Sequence, residues 1–319
     1  MSRIIFIPQL PTHLRYQQWF YTQFPIEFRK RGFDVITVGE KYIYENRNRW
    51  ISEKDMFSPI NEAINFELFQ IQEYLNMKLY DDDILLMMDI SFPGFFNNVF
   101  YHKRCSKQFV FCHATSINKY DYFEPVKTPK FINETSHTYL FNKVFVGSNY
   151  HAKKLNWPNT VVTYLPFAPF PGIENKEKTI DIVSASRPSK QKVDFELEKF
   201  IEKVSGVKIQ RFNAETWGEY FSILSSSKIL LITSHEDTFG YQIVDAVINN
   251  CIPLARNSFA YPELLSRDYL YDDKRELMNK IDYILNADFD LVPKVDVPEL
   301  LCEDQMKNFY DKLIVEMTE

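Results

Sequence analysis

Ser234-His-Glu-Asp-Thr-Phe-Gly-Tyr-Gln-Ile-Val-Asp-Ala-Val-Ile-Asn-Asn-Cys-Ile-Pro-Leu-Ala-Arg256, followed by Tyr261-Pro-Glu263, is the stretch on which the reading of the chain turns. Residues 230–233 close a short apolar run that reads as a buried parallel strand. From Phe239 onward Phe239, Ile243, Val244, Val247 and Ile248 recur at helical spacing. Glu236 and Asp237 therefore sit in a strand-to-helix turn. Such a turn aims backbone N–H groups and the positive end of a helix dipole at whatever lies above the sheet, which favours an anion. Gly240 permits close approach of a diphosphate to the backbone.

Asp237 and Asp245 stand eight apart, one at the helix entrance and one read as two turns inside it. This resembles the Glu-x7-Glu motif of retaining glycosyltransferases with two Rossmann-like domains, the GT-B arrangement. The run through Cys251-Ile-Pro-Leu and Tyr261-Pro-Glu263-Leu-Leu is most similar to the corresponding segment of tRNA-queuosine mannosyltransferases. The resemblance implies an α/β fold of two Rossmann-like domains facing across a cleft. It implies that Asp237, Thr238, Phe239 and Gly240 contact the transferred sugar and diphosphate, and that Asp245 holds the ribose. Both acids are Asp where Glu is usual, so each carboxylate is one methylene short, and Glu236 is the alternative to Asp237. A solvated, Asp-capped helix start in an ordinary doubly wound domain is the structural alternative.

A chain of 319 residues is long for one core and suits two domains. The division read from the pattern is 1–168 for an acceptor domain, 169–302 for a donor domain, and 303–319 for a last helix crossing back to the first. Pro166, Pro169 and Pro171, followed by Glu174-Asn-Lys-Glu-Lys178, mark the hinge. No apolar run approaches the ~20 residues that span a bilayer, and the N-terminus is not read as a signal peptide. A cytoplasmic protein without membrane contact is expected. Cys105, Cys112, Cys251 and Cys302 have no metal or disulfide spacing.

Strands are expected at 3–7, 33–38, 84–90, 108–112, 143–147 and 161–165 in the first half. The second half is expected to contribute 179–185, 208–212, 228–233 and 251–255. The loop Pro8-Gln-Leu-Pro-Thr-His13 lacks glycine, and His13 reads as a surface residue. Asp81 and Asp83 precede a strand, so they read as a solvated turn and not as a metal site. Asp89 lies at the carboxyl end of the same strand and is the candidate general base if the enzyme inverts. His113 follows the strand 108–112, where the resemblance implies a histidine near the donor sugar and the acceptor. Arg187 and Lys192 match the Arg-x4-Lys that grips the donor diphosphate in the resembled family. Two fixed cations suit a leaving diphosphate, although a solvated basic loop reads the same way.

Residues 1–165 carry 19 Lys+Arg against 16 Asp+Glu, and the remainder 18 against 27. Aromatics interleave with cations at 41–50 and 101–104 of the basic half, as a base-bearing polyanion would require. The sequence pI near 5.7 speaks against strong non-specific nucleic-acid binding.

The expected function is transfer of a sugar from a nucleotide-sugar donor to an acceptor hydroxyl, without a metal or other cofactor. Retention of configuration is implied by the resemblance. The favoured acceptor is a modified nucleic-acid base, hydroxymethylcytosine in phage DNA or queuosine in tRNA. Polysaccharide, lipid or small-molecule acceptors are the alternative. A non-catalytic nucleotide-sugar-binding protein is the alternative of another class.

Overall fold

The computed structural model describes residues 2–11, 15–45, 60–120, 122–166, 176–184, 190–211, 214, 217–293, 295 and 303–319. The first half runs β1 (Arg3–Ile7), α1 (Arg15–Lys30), β2 (Asp34–Thr37), α2 (Glu40–Glu45), α3 (Ile60–Asn76), β3 (Ile84–Met87), β4 (Lys107–Cys112), α4 (Lys127–Thr138), β5 (Lys143–Val146), α5 (Asn149–Leu155) and β6 (Thr160–Val162). The second runs β7 (Ile180–Ser184), α6 (Phe195–Ser205), β8 (Ile209–Arg211), α7 (Trp217–Ser225), β9 (Ser227–Ile232), α8 (Tyr241–Ile248), β10 (Ile252–Arg256), β11 (Leu270–Tyr271), α9 (Lys274–Asn286) and α10 (Glu303–Thr318).

Among the described residues these strands make two parallel sheets, ordered β2-β1-β3-β4-β5-β6 and β11-β10-β9-β7-β8. Short, almost wholly apolar strands such as Ile-Leu-Leu-Met in β3 are buried on both faces, as a helix-covered parallel sheet requires. Alternate residues serve opposite faces: Ile4 and Phe6 pack with Phe24 and Phe28, whereas Ile5 and Ile7 pack with Tyr74 and Phe100.

Helix α10 packs on the first half. Tyr310 meets Phe24 edge-on at 5.2 Å, Asp311 accepts from Arg31 Nε at 2.5 Å, and Lys143 Nζ donates to the Glu316 carboxylate at 2.8 Å.

Helix α4 has no counterpart in the sequence reading. Its buried residues are Glu134, His137 and Thr138, so the face turned inward is polar and shows no apolar period. Glu134 is held by the hydroxyls of Ser91 and Ser116, at 2.5 and 2.8 Å. The strand expected over 84–90 ends at Met87, because Asp89 bends the chain by accepting from the Ser91 N–H at 2.8 Å. The residues between Pro166 and Lys176, where the hinge was expected, lie outside the described set.

Candidate functional site

In an open parallel sheet the ligand crevice opens where strand order reverses, because the loops leaving two adjacent strands there diverge to opposite faces. In the second sheet that place is between β7 and β9. Lys192, in the loop after β7, lies with Nζ 3.1 Å from Oδ2 of Asp237, in the loop after β9. Two hydrogen bonds to backbone carbonyls join these loops: the His235 N–H donates to that of Gln191 at 2.9 Å, and Ser234 Oγ to that of Lys192 at 3.2 Å. Lys192 and Asp237 thus come together as one ion pair at the crevice. Arg187 lies outside the described residues.

Gly240 starts α8 at φ +100°, a conformation that strains any residue with a side chain. A Cβ there would also stand 3.3 Å from the ring of Tyr261, so the Tyr261-Pro-Glu263 segment packs directly beneath the turn. Because α8 begins at Tyr241 and not at Phe239, Asp245 lies little more than one turn inside it, which corrects the two turns read from the sequence. Asp245 is 3% exposed, and its Oδ2 accepts from the hydroxyl of Tyr220 at 3.1 Å. No motif signalled Tyr220 as a partner of Asp245.

In the first sheet, order reverses between β1 and β3. There Gln9 Nε2 donates to Asp89 Oδ2 at 2.6 Å. His113 lies at the end of β4, its ring stacked on Phe111 with centroids 6.0 Å apart. Burial pulls its pKa down to about 4, against the opposing effect of a hydrogen bond to the Met88 backbone, so the imidazole is neutral at pH 7.

The two crevices are fastened to each other. The Glu236 carboxylate, 5% exposed, accepts from Asn118 Nδ2 at 3.1 Å, the Lys119 N–H at 2.8 Å and the Tyr150 hydroxyl at 2.9 Å, and pairs with Lys154. Burial and this bond push the Tyr150 phenol up from its ordinary pKa. Thr238 Oγ1 donates to the His113 carbonyl at 2.7 Å, and the Thr238 carbonyl accepts from Ser148 Oγ at 2.6 Å. Glu263 accepts from the Asn149 and Tyr150 N–H groups at 2.8 and 2.7 Å, at the positive end of α5. Gly147, just past β5, leaves room for Leu165: a Cβ there would lie 2.9 Å from the Leu165 side chain, and at 3.4 Å it would only touch the Phe239 Cβ. Among these partners the sequence pointed to Glu236, Thr238 and His113. The reach of Tyr150 and Lys154 across the cleft has no signal in spacing.

Two further sequence readings change. Asp83 is not solvated: at 1% exposure it accepts from Arg3 Nε at 2.8 Å and the Tyr80 N–H at 2.8 Å, a structural ion pair. The segment 101–104 lies at the amino ends of the strands, away from the crevice. There Lys103 donates to the Leu75 and Met77 carbonyls and Arg104 to that of Leu140, so these cations brace loops. Of 41–50, only residues 41–45 are described, with Lys41 paired to Glu45 at 3.8 Å. His13 and Cys302 also lie outside the described residues, and Cys105, Cys112 and Cys251 are buried free thiols. Among the described residues, no cluster of His, Cys, Asp or Glu is placed to hold a metal ion, and no helix is long and apolar enough to cross a membrane.

No protein-family model matches the chain. A segment of 106 residues is 29% identical to the tRNA-queuosine alpha-mannosyltransferase of Drosophila melanogaster, covering 33% of this chain and 28% of that protein. Among solved structures, the sucrose-phosphate synthase of Thermosynechococcus elongatus superposes with a TM-score of 0.64 at 10% identity, over 89% of this chain and 90% of that one. The trehalose-6-phosphate synthase OtsA gives 0.61 at 10% identity over 100% and 99% of the two chains. The pneumococcal O-GlcNAc transferase GtfA, solved with UDP and GlcNAc, gives 0.58 at 12% identity over 79% and 60%. These likenesses identify the fold as GT-B, two parallel-sheet α/β domains.

Proposed function

We propose that the chain is a nucleotide-sugar-dependent glycosyltransferase with its donor site at 234–245. The observation that carries this reading is the Lys192–Asp237 pair, 3.1 Å apart at the reversal point of the second sheet and beside the glycine-started helix α8. A diphosphate entering there meets a cation and a helix N-terminus. The displaced Asp237 carboxylate is then free to accept hydroxyls of the sugar. Lys192 and Arg187 stabilise the charge that builds on the leaving diphosphate, and Asp245, with Tyr220, orients the ribose. This scheme draws its positive charge from the protein and uses no resident metal.

Retention follows from the Asp-x7-Asp resemblance, with Asp237 near the sugar and His113 as a neutral hydrogen-bonding group. Asp89 is the general base of the alternative, inverting route. For the acceptor, a modified nucleic-acid base remains the favoured reading, but on a different surface. Phe95 and Tyr122 are 48% and 58% exposed at the carboxyl ends of the first sheet, with Phe92 and Phe123 in ring contact with Tyr122. Glu67 fixes this loop by accepting from the N–H groups of Gly94, Phe95 and Phe96 at 3.0–3.2 Å. A rigid exposed aromatic surface is suited to stacking a base. The segmental likeness to the queuosine enzyme supports the same choice.

The first test is thermal unfolding with UDP, GDP and ADP. A nucleotide at 100 times its Kd stabilises by about 2.7 kcal/mol. The matching nucleotide sugar should then be hydrolysed slowly, and transferred when RNA or DNA bearing the modified base is added. Stabilisation by none of the three nucleotides refutes the donor site. Transfer to a saccharide with none to nucleic acid refutes the acceptor.

A further inference from the structure

Along the turn after β9, successive side chains point to opposite sides. Glu236 and Thr238 bond to the first domain, while Asp237 between them meets Lys192 of the second. The groups on Glu236 come from two separate places, the loop after β4 (Asn118, Lys119) and helix α5 (Tyr150, Lys154), and converge on one buried carboxylate. A backbone rotation at 236–237 that turned Asp237 away from Lys192 would also pull the Glu236 carboxylate off its four donors. A carboxylate with four donors has little freedom to rotate.

We propose that Glu236 is a positioning residue. Its grip on the first domain fixes the conformation of residues 237–240. Its link to donor binding rests on the reading of 234–245 as the donor site. Glu236 does not touch the donor; it holds Asp237 and the start of α8 for the donor. Glu263, bound at the amino end of the same helix α5, and Thr238, bonded to His113 and Ser148, supply further attachments, so losing Glu236 loosens the loop on one side while leaving the domains joined.

The test uses the full chain with Glu236→Gln, Lys154→Met, the double variant and Tyr150→Phe. Glutamine keeps the volume but cannot accept all four bonds. Hydrogen exchange read by mass spectrometry should show amides 237–243 losing about ten- to a hundredfold of their protection in Glu236→Gln and in Lys154→Met, the range expected for loss of a charged hydrogen bond. The double variant should be no worse than the poorer single, because the two groups act as a pair. Tyr150→Phe should give a smaller loss, and amides of β9 and α7 should stay unchanged in all four. UDP, GDP and ADP titrations should show the affinity of the wild-type ligand falling by a similar factor, since only the fraction with an ordered loop binds.

Unchanged protection at 237–243 overturns the proposal, and so does a uniform loss across the second domain, which would make Glu236 an ordinary stabilising contact. Loss of protection with full nucleotide affinity also overturns it. If the wild type binds none of the three nucleotides, the donor reading fails, and the exchange experiment still decides whether Glu236 fixes the loop.

Discussion

Replacing Lys192 with Met removes the one described cation of the Arg-x4-Lys pattern while keeping its alkyl stem. In the unliganded protein the consequence should be small. At 3.1 Å and an effective dielectric constant of about 20, the pair's gross attraction is roughly 5 kcal/mol. The two side chains are 20% and 14% exposed, so both gave up much of their hydration to meet. Desolvation and screening leave a net contribution of about 1 kcal/mol. That corresponds to a fall in Tm of about 2–4 °C. Catalysis should respond far more. The leaving diphosphate gains charge as the glycosidic bond breaks, and an electrostatic donor aimed at such charge contributes about 2.7–4 kcal/mol, or on the order of 10²–10³ in kcat. Lys192→Met should therefore be folded and nearly inactive. Adding Arg187→Ala should cost little more, because groups acting on one charge are not additive. The assay is initial-rate donor hydrolysis and transfer with the nucleotide sugar that stabilises the protein most, alongside thermal unfolding of the same samples. A kcat close to wild type, or a loss of rate matched by a large loss of stability, would refute the role of Lys192 at the leaving group.

Asp245→Asn should weaken nucleotide binding in calorimetry while leaving the fold intact, and Tyr220→Phe should do so to a lesser degree; equal affinity in both would place the ribose elsewhere. Gly147→Ala should destabilise by about 1–3 kcal/mol in urea unfolding, because its Cβ would stand 2.9 Å from the Leu165 side chain; an unchanged midpoint would show that the packing yields there. Burial lowers the pKa of His151 to about 3, so below pH 6.5 the unfolded chain binds a proton that the folded one refuses. Stability should fall as pH drops from about 6.5 towards 3, by several kcal/mol at most. Buried Glu67 and Glu134, whose pKa values are raised, act in the opposite sense, so the measurement is the difference between wild type and His151→Leu across pH 4.5–7.5. A difference that does not vary with pH contradicts this account.

The fold was legible where the chain is apolar on both faces of a strand. Runs such as Ile-Leu-Leu-Met and Ser-Lys-Ile-Leu-Leu-Ile announce themselves without regard to context. Helix α4 was not legible, because its buried face is built from Glu134, His137 and Thr138, and a polar interior has no hydrophobic period. On the candidate-site side, Lys192 and Asp237, which the structure brings together, stand out in the sequence because each sits in a short motif at a strand's carboxyl end. The bonds of Glu236 could not be found that way. Asn118, Tyr150 and Lys154 are more than eighty residues from it, and only the packing of two domains brings them within reach. The interleaved aromatics and cations of 101–104 misled for a related reason. Composition shows that cations and rings are near one another, but not at which end of the sheet they lie or whether carbonyls have already engaged them.

The alternation across residues 236–238 bears on the choice between Glu236 and Asp237 that the motif left open. One methylene was the apparent difficulty with Asp237, since the resembled motif uses Glu. A longer side chain already stands next to it, but that side chain is fastened to α5 and the loop after β4, and releasing it would leave Lys154 without its carboxylate. Withdrawing a carboxylate that is 5% exposed leaves four donors without their acceptor at once, so the exchange of roles is unfavourable. Asp237 pays no such penalty when a diphosphate arrives, because the incoming charge replaces it at Lys192. The shorter carboxylate is then the one released into the crevice at the moment the donor enters, and the longer one remains as the anchor that keeps it there.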